Sequence, residues 1–112
     1  MPLSKELVAA SATPMILSVL GRGESYGYAI IQEIRDLSDR QIEWTDGMLY
    51  PVLHRLERQG CIAAKWVDSE TGRRRKYYRI TKDGRALLSA HREQWQVVNE
   101  TLRGAWLKAR TV

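Results

Sequence analysis

The stretch Thr45-Asp46-Gly47-Met48-Leu49-Tyr50-Pro51-Val52-Leu53-His54-Arg55-Leu56-Glu57-Arg58-Gln59-Gly60 decides how this chain is read. Thr45 is an N-cap residue, able to satisfy an amide of a first helical turn, and Gly60 supplies the left-handed stop with which helices end. Between them Leu49, Val52, Leu53 and Leu56 recur three and four residues apart and predict one apolar face, in a helix running to about Gln59. The outward face near the start of this helix is left with Met48, Tyr50, Pro51, His54, Arg55 and Arg58, a set rich in cations and hydrogen-bonding groups.

Upstream, Leu7, Val8, Ile16, Leu17 and Leu20 predict a first helix over roughly 5–20, ended by Gly21-Arg22-Gly23. Pro14 either kinks that helix or, with Thr13 as cap, starts a new one at its first position. Ser25 reads as the cap of a second helix whose Ile30, Ile31, Ile34 and Leu37 face a core, ending near Ser38. Ile42 and Trp44 in the connector that follows are compatible with a brief strand.

Downstream of Gly60 the period falls to two. Ile62, Ala64 and Trp66 alternate with Ala63, Lys65 and Val67, and Tyr78 and Ile80 alternate with Tyr77 and Arg79, which predicts the two strands of a hairpin. Asp68-Ser69-Glu70-Thr71-Gly72 is turn chemistry, so Arg73, Arg74, Arg75 and Lys76 concentrate positive charge at or beside the hairpin tip. Thr81 then caps a last helix. In it Leu87 or Leu88, His91, Trp95, Val98, Leu102, Ala105 and Ala109 form a seam that keeps a seven-residue repeat from His91 onward. So small a domain cannot cover that seam alone, and a second copy of the chain is the expected partner.

Length and composition bound the function. With 112 residues and 44% hydrophobic content the chain builds one modest core, and a net charge of +5 favours a polyanionic partner. Cys61 has no second cysteine to pair with, and no Cys/His cluster has metal-ligand spacing, so neither metal nor cofactor is expected. The apolar stretch from Leu7 to Leu20 is broken by Ser11, Thr13, Pro14 and Ser18 and is neither a signal peptide nor a membrane span, which points to a cytoplasmic protein. Asp68, Glu70 and Asp83 have no arrangement suited to acid-base catalysis, and no phosphate loop or nucleophile elbow is present, so an enzyme is not expected.

Three short helices followed by a two-stranded hairpin is the winged helix-turn-helix layout, an α+β, mostly α, fold in which the third helix enters the major groove. The expected division is 1–80 for the DNA-binding domain, its first helix contributing to the dimer, and 81–112 for a C-terminal dimerisation helix. Thr45, Met48, Tyr50, Pro51, His54, Arg55 and Arg58 then face the groove, while Arg73, Arg74, Arg75 and Lys76 lie along the phosphates and set affinity and its salt dependence. Tyr26 and Tyr28 start the second helix, where their hydroxyls suit a phosphate, and at least one of the two is expected in the core instead.

The residues resemble the PadR family of transcriptional regulators. Gly47-Met48-Leu49-Tyr50-Pro51, continued by Arg55-Leu56-Glu57 and Gly60, is similar to the family's recognition-helix signature, with Met48 where a threonine is usual. Ser25-Tyr26-Gly27-Tyr28 matches the start of its second helix, Gly72 to Thr81 resembles its wing, and Asp83-Gly84-Arg85 matches the turn into its last helix. The resemblance implies a homodimer on a roughly palindromic operator, usually a repressor, released from DNA by a small molecule or another signal. In some of the short members, to which this chain is similar, a tryptophan from each subunit stacks on planar aromatic compounds at the dimer centre. Trp95 matches that tryptophan and Leu7, Ser18 and Asn99 match its surroundings, while Pro14 departs from the usual residue in that wall.

Plainer readings stand beside these. Trp95 and Trp106 can be interface packing, Trp44 and Trp66 core or wing-base residues, and His54 simply solvated. His91 is expected to pack or make one hydrogen bond, and Cys61 to be a small buried apolar residue. The rivals to a ligand-responsive repressor are a protein-interaction adaptor on the same scaffold and a multidrug-sensing module for planar cations.

Overall fold

A computed structural model describes residues 3–110; positions 1–2 and 111–112 of the two expected segments lie outside the described residues. The chain runs α1 (Lys5–Gly21), β1 (Ser25–Tyr26), α2 (Gly27–Leu37), α3 (Asp46–Arg58), β2 (Ile62–Asp68), β3 (Arg74–Ile80) and α4 (Lys82–Arg110). It is mostly helical with a small antiparallel sheet, a winged helix-turn-helix extended by a long C-terminal helix.

Ser4 caps α1, its hydroxyl accepting from the Leu7 amide at 3.2 Å. The helix runs unbroken through Pro14, so Thr13 caps no second start. Pro14 offers no amide to the Ala10 carbonyl, and Ala10 is exposed, where water can serve that carbonyl instead.

Ser25 does not cap α2: Ser25 and Tyr26 form a short strand paired with β3 through Tyr78 and Tyr77, and Tyr26 occupies the cap position without a side-chain hydrogen bond. A cap residue is extended, so its backbone can join a ladder whenever a strand edge lies beside it. The sheet therefore has three strands, in the order β1-β3-β2, rather than the hairpin's two.

The connector carrying Ile42 and Trp44 is not a strand, although both side chains are buried. Asp39 and Arg40 adopt positive φ, the Arg40 amide returns to the Arg35 carbonyl at 2.8 Å, and the Ile42 amide donates to Ser38 Oγ at 2.9 Å. Backbone donors spent on closing α2 are not available to a ladder. Leu37, expected in the core, is 66% exposed at the end of α2.

The core joins α1, α2, α3 and the base of the sheet. Ile16, Leu17, Leu20, Ile30, Leu49, Leu53, Leu56, Ile62 and Tyr78 are its fully buried members. Thr45 occupies the cap position of α3, but its hydroxyl does not make the capping hydrogen bond expected of an N-cap; only its carbonyl engages the first turn, accepting from the Met48 and Leu49 amides. Gly60 closes the helix at φ +76, with its own amide on Glu57 O and the Cys61 amide on Leu56 O.

Thr81 starts α4. Its hydroxyl donates to the Gly60 carbonyl at 2.6 Å and accepts from the Gly84 amide at 3.1 Å, tying the helix to the end of α3. Gly84 is buried so tightly there that a Cβ would run into the Cys61 carbonyl, which explains a glycine one turn inside a helix. Leu87 and Leu88 pack on the core, and past Trp95 this 29-residue helix, roughly 44 Å long as a whole, leaves the domain behind.

Candidate nucleic-acid interface

α3 presents two different flanks. On one, Tyr50 and His54 stand a helical turn apart with ring centroids 6.1 Å apart and face the sheet. They line an open cleft with Tyr26, Tyr28, Trp66 and the run Arg73 to Lys76. The sequence supplies this clustering through register: antiparallel pairing sets Trp66 opposite Lys76 and Val67 opposite Arg75, so the wing folds its cations back alongside α3.

Three of the four wing cations have a defined seat. Arg75 lies 4.5 Å from the Tyr26 ring centroid, and Arg74 lies 5.3 Å from that of Trp66 with Asp68 Oδ1 at 3.5 Å. Lys76 lies 3.4 Å from Glu57 Oε1 and 5.4 Å from the Tyr78 ring. Arg73 is exposed at the turn. Guanidinium groups held over aromatic faces are partly pre-ordered while their outer edges stay open to solvent, which suits phosphate contact.

Of the two tyrosines at the start of α2, Tyr26 is half-buried, edge-on to Tyr77 at 5.2 Å, and Tyr28 is 64% exposed with its hydroxyl accepting from Gln32 Nε2. Gly27 between them is buried beneath Tyr50: a Cβ there would overlap the Tyr50 hydroxyl, so this glycine lets α3 close on α2. Tyr78 lies under the cleft with its hydroxyl buried and without a hydrogen-bond partner among the described residues. Burial, reinforced by Tyr50 and then by Glu57, pushes its phenol up to about 12.

On the other flank of α3, Met48 and Arg55 are exposed but turned toward α1. Arg55 Nη2 donates to Thr13 Oγ1 at 2.7 Å, and Met48 and Arg55 line a separate groove with Ala12, Trp44 and Val52. Pro51 and Arg58 are exposed on the ridge between the flanks and Thr45 is exposed at the helix start. The expected groove set is thus divided: Tyr50 and His54 join the wing, while Met48 and Arg55 do not.

The expected small-molecule residues divide as well. Leu7, Ser18 and Trp95 line one apolar cavity of about 580 Å³ between α1, α2 and α4, together with Pro14, Leu37 and His91. Asn99 lies a turn farther along α4, beside Trp95 on a separate shallow surface.

Trp66 is the residue that sequence reasoning missed. It is 58% exposed on the wing rather than in the core or wing base, because β2 leaves the core after Ala64 and its alternation then separates two solvated faces. Its position opposite the cationic run across a short hairpin was the available signal.

Residues 16–90 match the family described as the transcriptional regulator PadR-like family. The chain belongs to that family. It is 34% identical to uncharacterized protein X of Lysinibacillus sphaericus, over 87% of this chain and 89% of that one. It is 35% identical to the transcriptional regulator Rv3488 of Mycobacterium tuberculosis, over 89% and 91% of the two chains. Among solved structures, a transcriptional regulator from Clostridium thermocellum superposes with a TM-score of 0.82 at 33% identity, covering 90% of this chain and 95% of that one. The protein is accordingly a transcriptional regulator and not an enzyme. No described helix is long and apolar enough to cross a membrane.

Proposed function

We propose that this PadR-like regulator is a homodimeric DNA-binding repressor acting in the cytoplasm on a roughly palindromic operator. The observation that carries the reading is the cleft between α3 and the wing, where Tyr26, Tyr28, Tyr50, His54, Trp66 and three arginines converge on one open surface. Tyr50, Pro51, His54 and Arg58 reach the major groove, and Arg73, Arg74 and Arg75 take the phosphates. Thr45 and Tyr28 add hydroxyls to the backbone contacts. Met48 and Arg55, on the α1 flank, serve the far edge of the same groove.

The division at residue 80 assigns the second role to α4. Beyond the domain Val98, Leu102 and Trp106 remain exposed at four-residue steps and pair with a second copy of the chain, α4 packing against the partner's N-terminal helix. Two recognition helices about one DNA turn apart, roughly 34–36 Å, would then meet the two half-sites. A gel shift at physiological salt with the DNA upstream of the protein's own gene tests this: specific retardation is expected, and none at micromolar protein would reject it.

Ligand response is a second reading, favoured by the apolar cavity at Trp95. A planar aromatic compound seated there touches α1, α2 and α4 together, so it can shift the spacing of the two reading heads. Planar aromatic compounds are expected to quench tryptophan fluorescence in the wild type. Equal quenching in Trp95→Ala would remove Trp95 from the site.

A further inference from the structure

Lys76 differs from its neighbours in the cationic run. The side chains of Lys76 and Glu57 are only 28% and 38% exposed, whereas those of Arg74 and Asp68 are 65% and 83% exposed. Its ammonium is held from two sides, by Glu57 Oε1 at 3.4 Å and by the ring of fully buried Tyr78 at 5.4 Å. Glu57 is on the last turn of α3 and Lys76 is on β3, so the pair joins the recognition helix to the wing. Trp66 is the cross-strand partner of Lys76, and past that rung of the ladder both strands are exposed.

We propose that Lys76 is a positioning residue rather than a phosphate contact: with Glu57 it forms a strut that sets the angle between α3 and the wing. The proposal rests on the DNA-binding reading above and deepens it. A cation held in a part-buried ion pair releases no counterion from DNA, whereas the exposed, solvent-screened Arg74–Asp68 pair can open to a phosphate, so three arginines, not four cations, set the wing's share of the salt dependence. The strut also explains a carboxylate on the helix that faces a polyanion. Glu57 repels DNA less than it would as an isolated charge, and in return it holds the arginines of the wing at a fixed distance from Tyr50 and His54.

The test measures affinity for a short mixed-sequence duplex against salt concentration, affinity for the upstream fragment, and amide exchange in the protein without DNA. Arg75→Gln lowers the salt slope by about 0.9, the value of one phosphate contact. Lys76→Gln leaves the slope unchanged, weakens binding to the upstream fragment roughly two- to fivefold, as loss of a partly exposed ion pair should, and speeds exchange of the β3 amides. Glu57→Gln speeds the same amides but steepens the slope by about 0.9, since the released ammonium can now take a phosphate. A slope in Lys76→Gln that falls as far as in Arg75→Gln overturns the proposal. Unaltered β3 exchange in both variants does so too. If the wild type binds neither DNA, the DNA-binding reading fails, while the exchange measurement still decides whether the strut exists.

Discussion

The domain from α1 to β3 and the far half of α4 are built from similar proportions of apolar residues, yet they end in opposite states. In α1 to β3 most leucines and isoleucines of the helices close on one another, Leu7 and Leu37 excepted, and Leu49, Leu53 and Leu56 of α3 have no exposed surface at all. In α4 past Trp95 the apolar residues Val97, Val98, Leu102, Trp106 and Leu107 are all 42% exposed or more. The first region buries most of its apolar side chains within one chain. The second has the pattern of a buried seam and no described residue of its own chain to bury it, which is why the proposed dimer is assigned to α4 and DNA reading to the rest.

That contrast can be broken at either end. The largest effect is expected in α4, where Leu102→Asp combined with Trp106→Asp puts two carboxylates into the proposed seam and raises the dimer dissociation constant about 1000-fold or more, read by sedimentation. The monomer's circular dichroism should stay that of a folded domain. In the reading unit, Leu53→Ala opens a hole in a core that has no room to relax and costs about 3 kcal/mol in urea unfolding. Tyr78 sharpens the same point through pH. Its folded phenol is held up to about 12, whereas an exposed tyrosine titrates near 10, so the unfolded chain loses its proton first as pH rises. Stability is therefore intact below about pH 10 and falls by on the order of 2–3 kcal/mol by pH 12, and Tyr78→Phe should flatten that loss. The smallest effect is at the junction of the two regions: Thr81→Ala removes both the cap of α4 and its bond to Gly60, costing about 1 kcal/mol of thermal stability.

How much of this was legible in the sequence depended on whether a residue answers to its neighbours in the chain or to distant ones. Helix α3 was readable nearly to the residue, because the cap at Thr45, the leucine spacing and the stop at Gly60 are all local. The strand at Ser25 and Tyr26 was not, since its only cause is the edge of β3, about fifty residues away. Leu37 was misjudged for a related reason: periodicity finds the apolar face of a helix but not where the neighbouring helix ends. In the site, the aromatic and cationic types in the wing and α3 could be named in advance. Their grouping could not, because Arg55 and Met48 share the exposed side of α3 with His54 and only the packing of α1 turns them the other way. Lys76 was legible as a charge and not as a paired one, because Glu57 reaches it across a turn and two strands.

The central claim is that one protomer carries a complete reading head and that two are needed to read an operator. Binding to the upstream fragment, followed by gel shift and by sedimentation of the complex in physiological salt, tests it most directly. The expected result is a specific complex containing two protomers, lost when α4 carries the Leu102→Asp and Trp106→Asp pair even though the domain remains folded. A complex of undiminished affinity formed by that monomeric variant, or no specific complex with the wild type at micromolar concentration, would contradict it.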